Sequence, residues 1–226
     1  MRRRLPFVRP IITTRTDLLN LLVRRRHYRR YLEIGVRNAS ENLDRVRAPI
    51  RDGVDPAPEQ PVAYQMTSDA FFAGPGKNKT YDLVFIDGLH IADQVLRDVE
   101  NSLRVLAPGG ALVIHDCNPR AEATQLEQQP SRGLWHGTVW KAWVELRSTR
   151  PDLQMYVVDV AQGCGVIEQG EQELLDPPRV LDWAYLQENR AEALNLVSVD
   201  AFIDRLTKRD ESNRRGSWRR KKATRG

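Results

Sequence analysis

Residues 81–116 read YDLVFIDGLHIADQVLRDVENSLRVLAPGGALVIHD, and this stretch decides the fold. YDLVFIDG at 81–88 is almost unbroken in its apolar character up to Asp87, as a strand covered on both faces requires. Residues 91–106 then place Ile91, Val95, Val99, Leu103 and Leu106 on one face of a helix. Pro108-Gly109-Gly110 stops that helix, and GALVIHD at 110–116 is a second buried strand. Strand, helix, strand in this order predicts a parallel pair with a crossover on one face.

The alternation continues outward. Residues 15–30 predict a helix capped by Thr14 or Thr16, with Leu18, Leu19, Leu21, Leu22 and Val23 as its apolar stripe and cations in its last turns. YLEIGV (31–36), a strand ending in DGVDP (52–56) and VAYQMTS (62–68) are further strand candidates, with a helix over 39–47. Ser68 is expected to cap the short helix DAFFA. The connection 56–62 is too short for an ordinary crossover, so a tight loop or a misassigned strand is expected there. Downstream, 117–134 is a polar loop, 137–148 a helix, and 153–160 with 163–170 a hairpin. Residues 180–196 and 199–208 are expected to be helical. The fold class is therefore α/β, a doubly wound, mostly parallel seven-stranded sheet with a terminal antiparallel strand. The expected division is a basic N-terminal extension and helix (1–30), a catalytic domain (31–208) and a basic disordered tail (209–226).

Charge is unevenly spread. Residues 1–30 carry ten Arg and one Asp, and 214–226 carry seven Arg or Lys and no acid. Taking +9 and +7 from the total of +5 leaves about −11 for residues 31–213. Basic ends are usually solvated. Trp218 among cations also fits base stacking with phosphate contacts, or an anionic surface. No apolar run reaches the roughly 18 residues of a membrane helix. The basic N-terminus is broken by Arg9, Pro10, Arg15 and Asp17, which argues against a secretion signal. An Arg-rich organelle-targeting segment stays open. Cys117 and Cys164 make neither a metal spacing nor a disulfide framework, and two free thiols fit a reducing cytoplasm.

In such sheets ligands sit beyond the carboxyl ends of the strands. Those ends carry Glu33 and Gly35, Asp55, Ser68 and Asp69, Asp87 and Gly88, and His115 and Asp116. Gly35 allows close backbone approach, and Asp55 lies where a ribose-binding acid is expected. The segment Gly35-Val36-Arg37-Asn38-Ala39-Ser40 lacks the glycines that cradle a dinucleotide pyrophosphate. A nucleoside cofactor without phosphate needs no such cradle.

The segments YLEIGV, GVDP, TSDAFF, YDLVFIDGLH and LAPGGALVIHD, with the closing strand pair, resemble the motif series of class I S-adenosylmethionine-dependent methyltransferases. EIGVRN and FIDGLH…HDCNP resemble a small bacterial group within that class. The resemblance spans about residues 28–170. It implies that Glu33 and Gly35 lie under the methionine part of S-adenosylmethionine, Asp55 on the ribose, Ser68 and Asp69 near the adenine, and Asp87 at the methionine end facing substrate. Ala39 departs from it, standing where many of these enzymes have a second glycine. Catechol-type relatives hold Mg²⁺ at such strand ends, which nominates Asp87, Asp116 and Asn118 as ligands. Cys117, the residue next to Asp116, is a poor ligand for that ion. Asp87, His90, His115 and Asp116 are the catalytic candidates, either histidine serving as a general base. Trp135 ends the polar loop, as a lid or an anchor, and Trp140 and Trp143 belong to the core.

The expected activity is O-methylation of a small-molecule or glycan hydroxyl. The alternatives are an RNA methyltransferase using the basic ends, against which no Asn-Pro-Pro-aromatic motif is present, and a non-catalytic binding module. Acceptor and oligomeric state are left open by the sequence.

Overall fold

The computed structural model describes residues 9–208. The extreme basic residues 1–8 and 209–226, with Trp218, lie outside them, as does the expectation of a disordered tail. One sheet of seven strands runs through the molecule: β1 (Arg30–Ile34), β2 (Ile50–Val54), β3 (Tyr81–Ile86), β4 (Leu106–Ile114), β5 (Leu153–Val158), β6 (Cys164–Gln169) and β7 (Leu196–Val197). Their order is β2-β1-β3-β4-β6-β5-β7. Only β6 runs antiparallel, between β4 and β5. The helices are α1 (Arg15–Arg26), α2 (Ser68–Ala73), α3 (Ala92–Val105), α4 (Val139–Thr149) and α5 (Trp183–Leu194), with residues 199–208 also helical.

The period-two alternation of β3 sorts its side chains between two cores. Val84 and Ile86 join Val95 and Val99 of α3, Trp140 and Trp143 of α4 and Leu186 of α5. Leu83 and Phe85 join Leu18, Leu19 and Leu22 of α1 with Phe202 and Ile203 on the other face. The apolar stripe of α1 is thus part of the main core. Its N-terminus is fixed by a capping box in which Thr14 accepts from the Asp17 amide and Asp17 accepts from the Thr14 amide. His27, in the left-handed region at φ 58°, ends it four residues before the expected end.

Three expectations are corrected. Residues 39–47 form two single 3-10 turns, at Ala39–Glu41 and Leu43–Arg45, and no α-helix. Asn42 between them turns its amide inward to Glu33 (2.9 Å) and the Tyr31 hydroxyl (3.1 Å), and this interrupts helical geometry. The segment 62–68 is not a strand. A single bridge, Val54 to Tyr64, is all that pairs, downstream of a connection holding Pro56, Pro58 and Pro61. Thr67, not Ser68, caps α2 by accepting from the Ala70 amide. The seventh strand is instead β7, two residues paired in parallel with β5.

Candidate functional site

The carboxyl ends of β1, β2, β3 and β4 open on a cavity of about 770 Å³, within the roughly 300–1,000 Å³ of small-molecule sites. Gly35, Asp55, Ser68, Asp69, Asp87, His90, His115 and Asp116 all line it.

At one end Gly35 has φ +85°, and its amide donates to the Val54 carbonyl at 2.8 Å. Asp55 is oriented by two backbone amides, Arg37 at 2.9 Å and Ala57 at 2.7 Å. Both carboxylate oxygens keep lone pairs free for a ligand's hydroxyls. Further along, the Gln94 amide lies 3.2 Å from Ser68 Oγ, 3.3 Å from Asp69 Oδ1 and 3.1 Å from Asp98 Oδ1. Burial pushes the Asp98 carboxyl up to about 6, against the hydrogen bonds from Ser68 and Gln94. Gln94 and Asp98 were not legible as site residues. They sit one turn apart on α3, beside the apolar positions Val95 and Val99 that dominate its pattern.

The other end is an acid–imidazole cluster. His115 Nδ1 lies 3.0 Å from Asp87 Oδ1 and 3.1 Å from Asp116 Oδ1. His90 Nε2 is 3.3 Å from Asp87, and its Nδ1 is 3.3 Å from Asp116 and 3.1 Å from the Trp135 carbonyl. Arg15, from the N-terminal helix, reaches Asp87 at 3.3 Å. Burial alone would raise Asp87. The charge of His115, hydrogen bonds from both histidines and Arg15 outweigh burial and hold Asp87 well below the usual carboxylate range. Asp116 goes the other way, raised by burial and by its neighbour Asp87. Burial would lower both histidines, but the carboxylates, Asp87 foremost, raise them. His136, a residue the sequence did not single out, lies 3.9 Å from Asp116 and is lowered by burial.

Asp87, His90 and Asp116 each offer one donor atom within 4.8 Å of the others, so this donor set fits a divalent cation. Asn118 does not join them. Its buried side chain donates to Asp159 at 3.2 Å and accepts from Arg190, and it does not line the cavity. Glu33 is likewise off the cavity wall. It is 2% exposed and accepts from Tyr31 (2.6 Å) and Asn42 (2.9 Å). Burial raises its carboxyl to about 7. Trp135 stacks on His90 at 5.2 Å between ring centroids and donates its indole N–H to the Leu126 carbonyl at 2.6 Å. It anchors the 117–134 loop beside the cavity.

Residues 18–117 match the model of a family described as a methyltransferase domain. The matched stretch runs from α1 to the residue after Asp116 and so carries the ends of β1, β2, β3 and β4 that line the cavity. Among solved structures, a Staphylococcus aureus protein provisionally named a caffeoyl-CoA O-methyltransferase has the same fold, with a TM-score of 0.52 and 17% identity over 71% of this chain and 86% of that one. A Klebsiella pneumoniae protein provisionally named an O-methyltransferase gives 0.47 and 15% over 68% and 78%. The S-adenosylhomocysteine-bound methyltransferase PaMTH1 of Podospora anserina gives 0.45 and 19% over 69% and 78%. No curated protein matches the chain. No helix among the described residues is long and apolar enough to cross a membrane.

Proposed function

We propose that the protein transfers the methyl group of S-adenosylmethionine to a hydroxyl oxygen of a small-molecule or glycan acceptor. The observation that carries this reading is the continuity of one cavity, from the Gly35–Asp55–Ser68–Asp69 arc to the Asp87–His90–His115–Asp116 cluster. The arc offers what a nucleoside without phosphate needs: a side-chain-free approach at Gly35, a pre-oriented carboxylate for ribose at Asp55, and polar groups at Ser68 and Asp69 for adenine. Asp87 faces the methionine end.

In the reaction the acceptor oxygen attacks the methyl carbon, the carbon–sulfur bond breaks, and the hydroxyl proton must leave. The sulfonium is a good leaving group, so the protein's part is alignment and proton removal. His90 and His115 sit where a proton can be taken, and Asp87 and Asp116 stabilise the imidazolium that results. Trp135 and Leu134 line the cavity on the loop side and offer apolar surface to the acceptor's body. Asp87, Asp116 and His90 would hold a divalent cation, whose chemistry is to lower the pKa of a coordinated hydroxyl. The mixed oxygen and nitrogen donors suit Mn²⁺ or Zn²⁺ as well as Mg²⁺.

The test begins with calorimetry of S-adenosylmethionine and S-adenosylhomocysteine, with NAD as a control ligand. Micromolar binding that is lost in Asp55→Ala supports the reading. Acceptor hydroxyls are then screened with and without added divalent cation. Absence of binding to the folded protein, with and without candidate acceptors, would overturn it.

A further inference from the structure

A second cavity, also about 770 Å³, adjoins the first between the start of α1, residues 45–47 and the β5–β6 turn. Arg15, Glu41, His115 and Gln162 line both. We propose that this second cavity holds an anionic group, a carboxylate or a phosphate, on the methyl acceptor. The acceptor's identity rests on the methyl-transfer reading; the anion site does not.

The cations there are available. Arg45 and Arg47 line the cavity and make no ion pair or side-chain hydrogen bond among the described residues. Their backbone is nevertheless fixed. Asn20 of α1 donates to the Arg45 carbonyl at 3.0 Å and accepts from the Arg47 amide at 2.7 Å. This clamp holds the two guanidinium groups on a pinned segment, so little backbone ordering is left for binding. The acids nearby are committed elsewhere. Asp17 accepts from the amides and hydroxyls of Thr13 and Thr14, and Glu41 faces Arg15 and Arg37.

His115 connects this cavity to the chemistry. It is 6% exposed, and its Nδ1 is shared between Asp87 and Asp116. Its Nε2 is buried with no partner among the described residues. A buried imidazole nitrogen without a partner is costly unless a ligand supplies one. An acceptor anchored by its anion on Arg45 and Arg47 can bring its hydroxyl toward that nitrogen. The β5–β6 turn adds a constraint: Ala161 (φ 47°) and Gln162 (φ 61°) both hold left-handed backbone at this junction. They are the central pair of the hairpin turn, closed by the Gly163 amide donating to the Val160 carbonyl at 2.9 Å, which fixes Gln162 at the cavity wall.

The experiment uses the full chain saturated with S-adenosylhomocysteine and two probe pairs, followed by NMR titration. One pair is 3-hydroxybenzoate against 3-hydroxybenzyl alcohol; the other is glycerol 3-phosphate against glycerol. At least one anionic member is expected to bind ~10-fold tighter than its neutral partner, as two charge-assisted contacts allow. The pair that shows the preference identifies the anion. In the double variant Arg45→Gln/Arg47→Gln the preference should fall to within about twofold, with thermal midpoint and S-adenosylhomocysteine affinity unchanged. Arg104→Gln, outside both cavities, should keep it. Equal binding within both pairs would overturn the proposal, as would a preference that survives the double variant. A large loss of S-adenosylhomocysteine affinity in that variant would assign the cavity to the cofactor's own carboxylate, and also overturn it. If S-adenosylhomocysteine fails to bind the unaltered protein, the methyl-transfer reading fails separately, and the same titrations without it still decide the anion site.

Discussion

Gly35 and Asp87 cross so closely that a Cβ on Gly35 would lie 2.2 Å from the Asp87 carbonyl oxygen. The turn after β1 and the end of β3 therefore meet backbone to backbone, and this contact sets the floor between the Gly35–Asp55 end of the cavity and the acid–imidazole cluster. Gly35 also holds φ +85°, which side chains rarely adopt. Gly35→Ala combines both penalties. It should lower stability by about 3 kcal/mol or more and abolish S-adenosylmethionine binding. Chemical denaturation and calorimetry on the same sample check this.

A second glycine guards the histidine. Gly137 has φ +58°, and a Cβ there would fall 1.8 Å from the His90 carbonyl oxygen. The same carbonyl accepts from the Thr138 amide at 2.8 Å. Gly137→Ala should displace His90 and Trp135 together. Loss of methyl transfer is expected to exceed the loss of S-adenosylhomocysteine affinity, because the cofactor arc lies on other strands. Turnover and calorimetry, compared in one variant, measure the difference.

The cluster predicts a pH profile. Asp87, then Asp116, raises His90 and His115 above 6.5. A reaction needing a neutral imidazole gains rate as pH rises through those raised values. In Asp116→Asn the limb should move to lower pH, because one of the charges holding the proton is gone. The rate itself should fall, since the imidazolium loses a stabilising partner. Measuring kcat/KM from pH 5.5 to 9 gives the limb. For stability the sign is the usual one for a raised histidine: the contribution is complete below 6.5 and is lost as pH rises past the folded-state value.

Glu33 makes a separate prediction about stability. Its carboxyl titrates near 7 in the fold against 4.5 when exposed. Stability from this group is full below pH 4.5 and is lost as pH climbs to about 7. The span corresponds to roughly 3 kcal/mol. Glu33→Gln keeps an acceptor for Tyr31 and Asn42 without the ionisation. It should flatten denaturation midpoints between pH 4.5 and 7 and leave cofactor affinity within a few-fold, since Glu33 lies off the cavity wall. Denaturation at several pH values reads this directly.

The sequence by itself determined the central sheet. β3, α3 and β4 are written in a buried apolar run, a 3.6-residue periodicity and a Pro-Gly-Gly stop, all local signals. It also determined which strand ends are polar, because ligands in such sheets collect there whatever their identity. Asp55, Asp87, His90, His115 and Asp116 could therefore be nominated from position alone. Only the tertiary structure decided which way side chains turn. Glu33 and Asn118 stand at the right chain positions, yet their neighbours Tyr31, Asn42, Asp159 and Arg190 draw them away from the cavity. It also brought in Arg15, Arg45, Arg47 and His136. Arg15, Arg45 and Arg47 come from segments that read as helices and His136 from the junction of the polar loop and the next helix, and only long-range packing of α1 and the 117–137 connection sets them at the site. Strand and helix periodicity arise from neighbours in the chain and survive in the sequence. The direction of a buried polar side chain is set by the partners that folding places around it, Tyr31 and Asn42 for Glu33, and for Asn118 Asp159 and Arg190, 41 and 72 residues away.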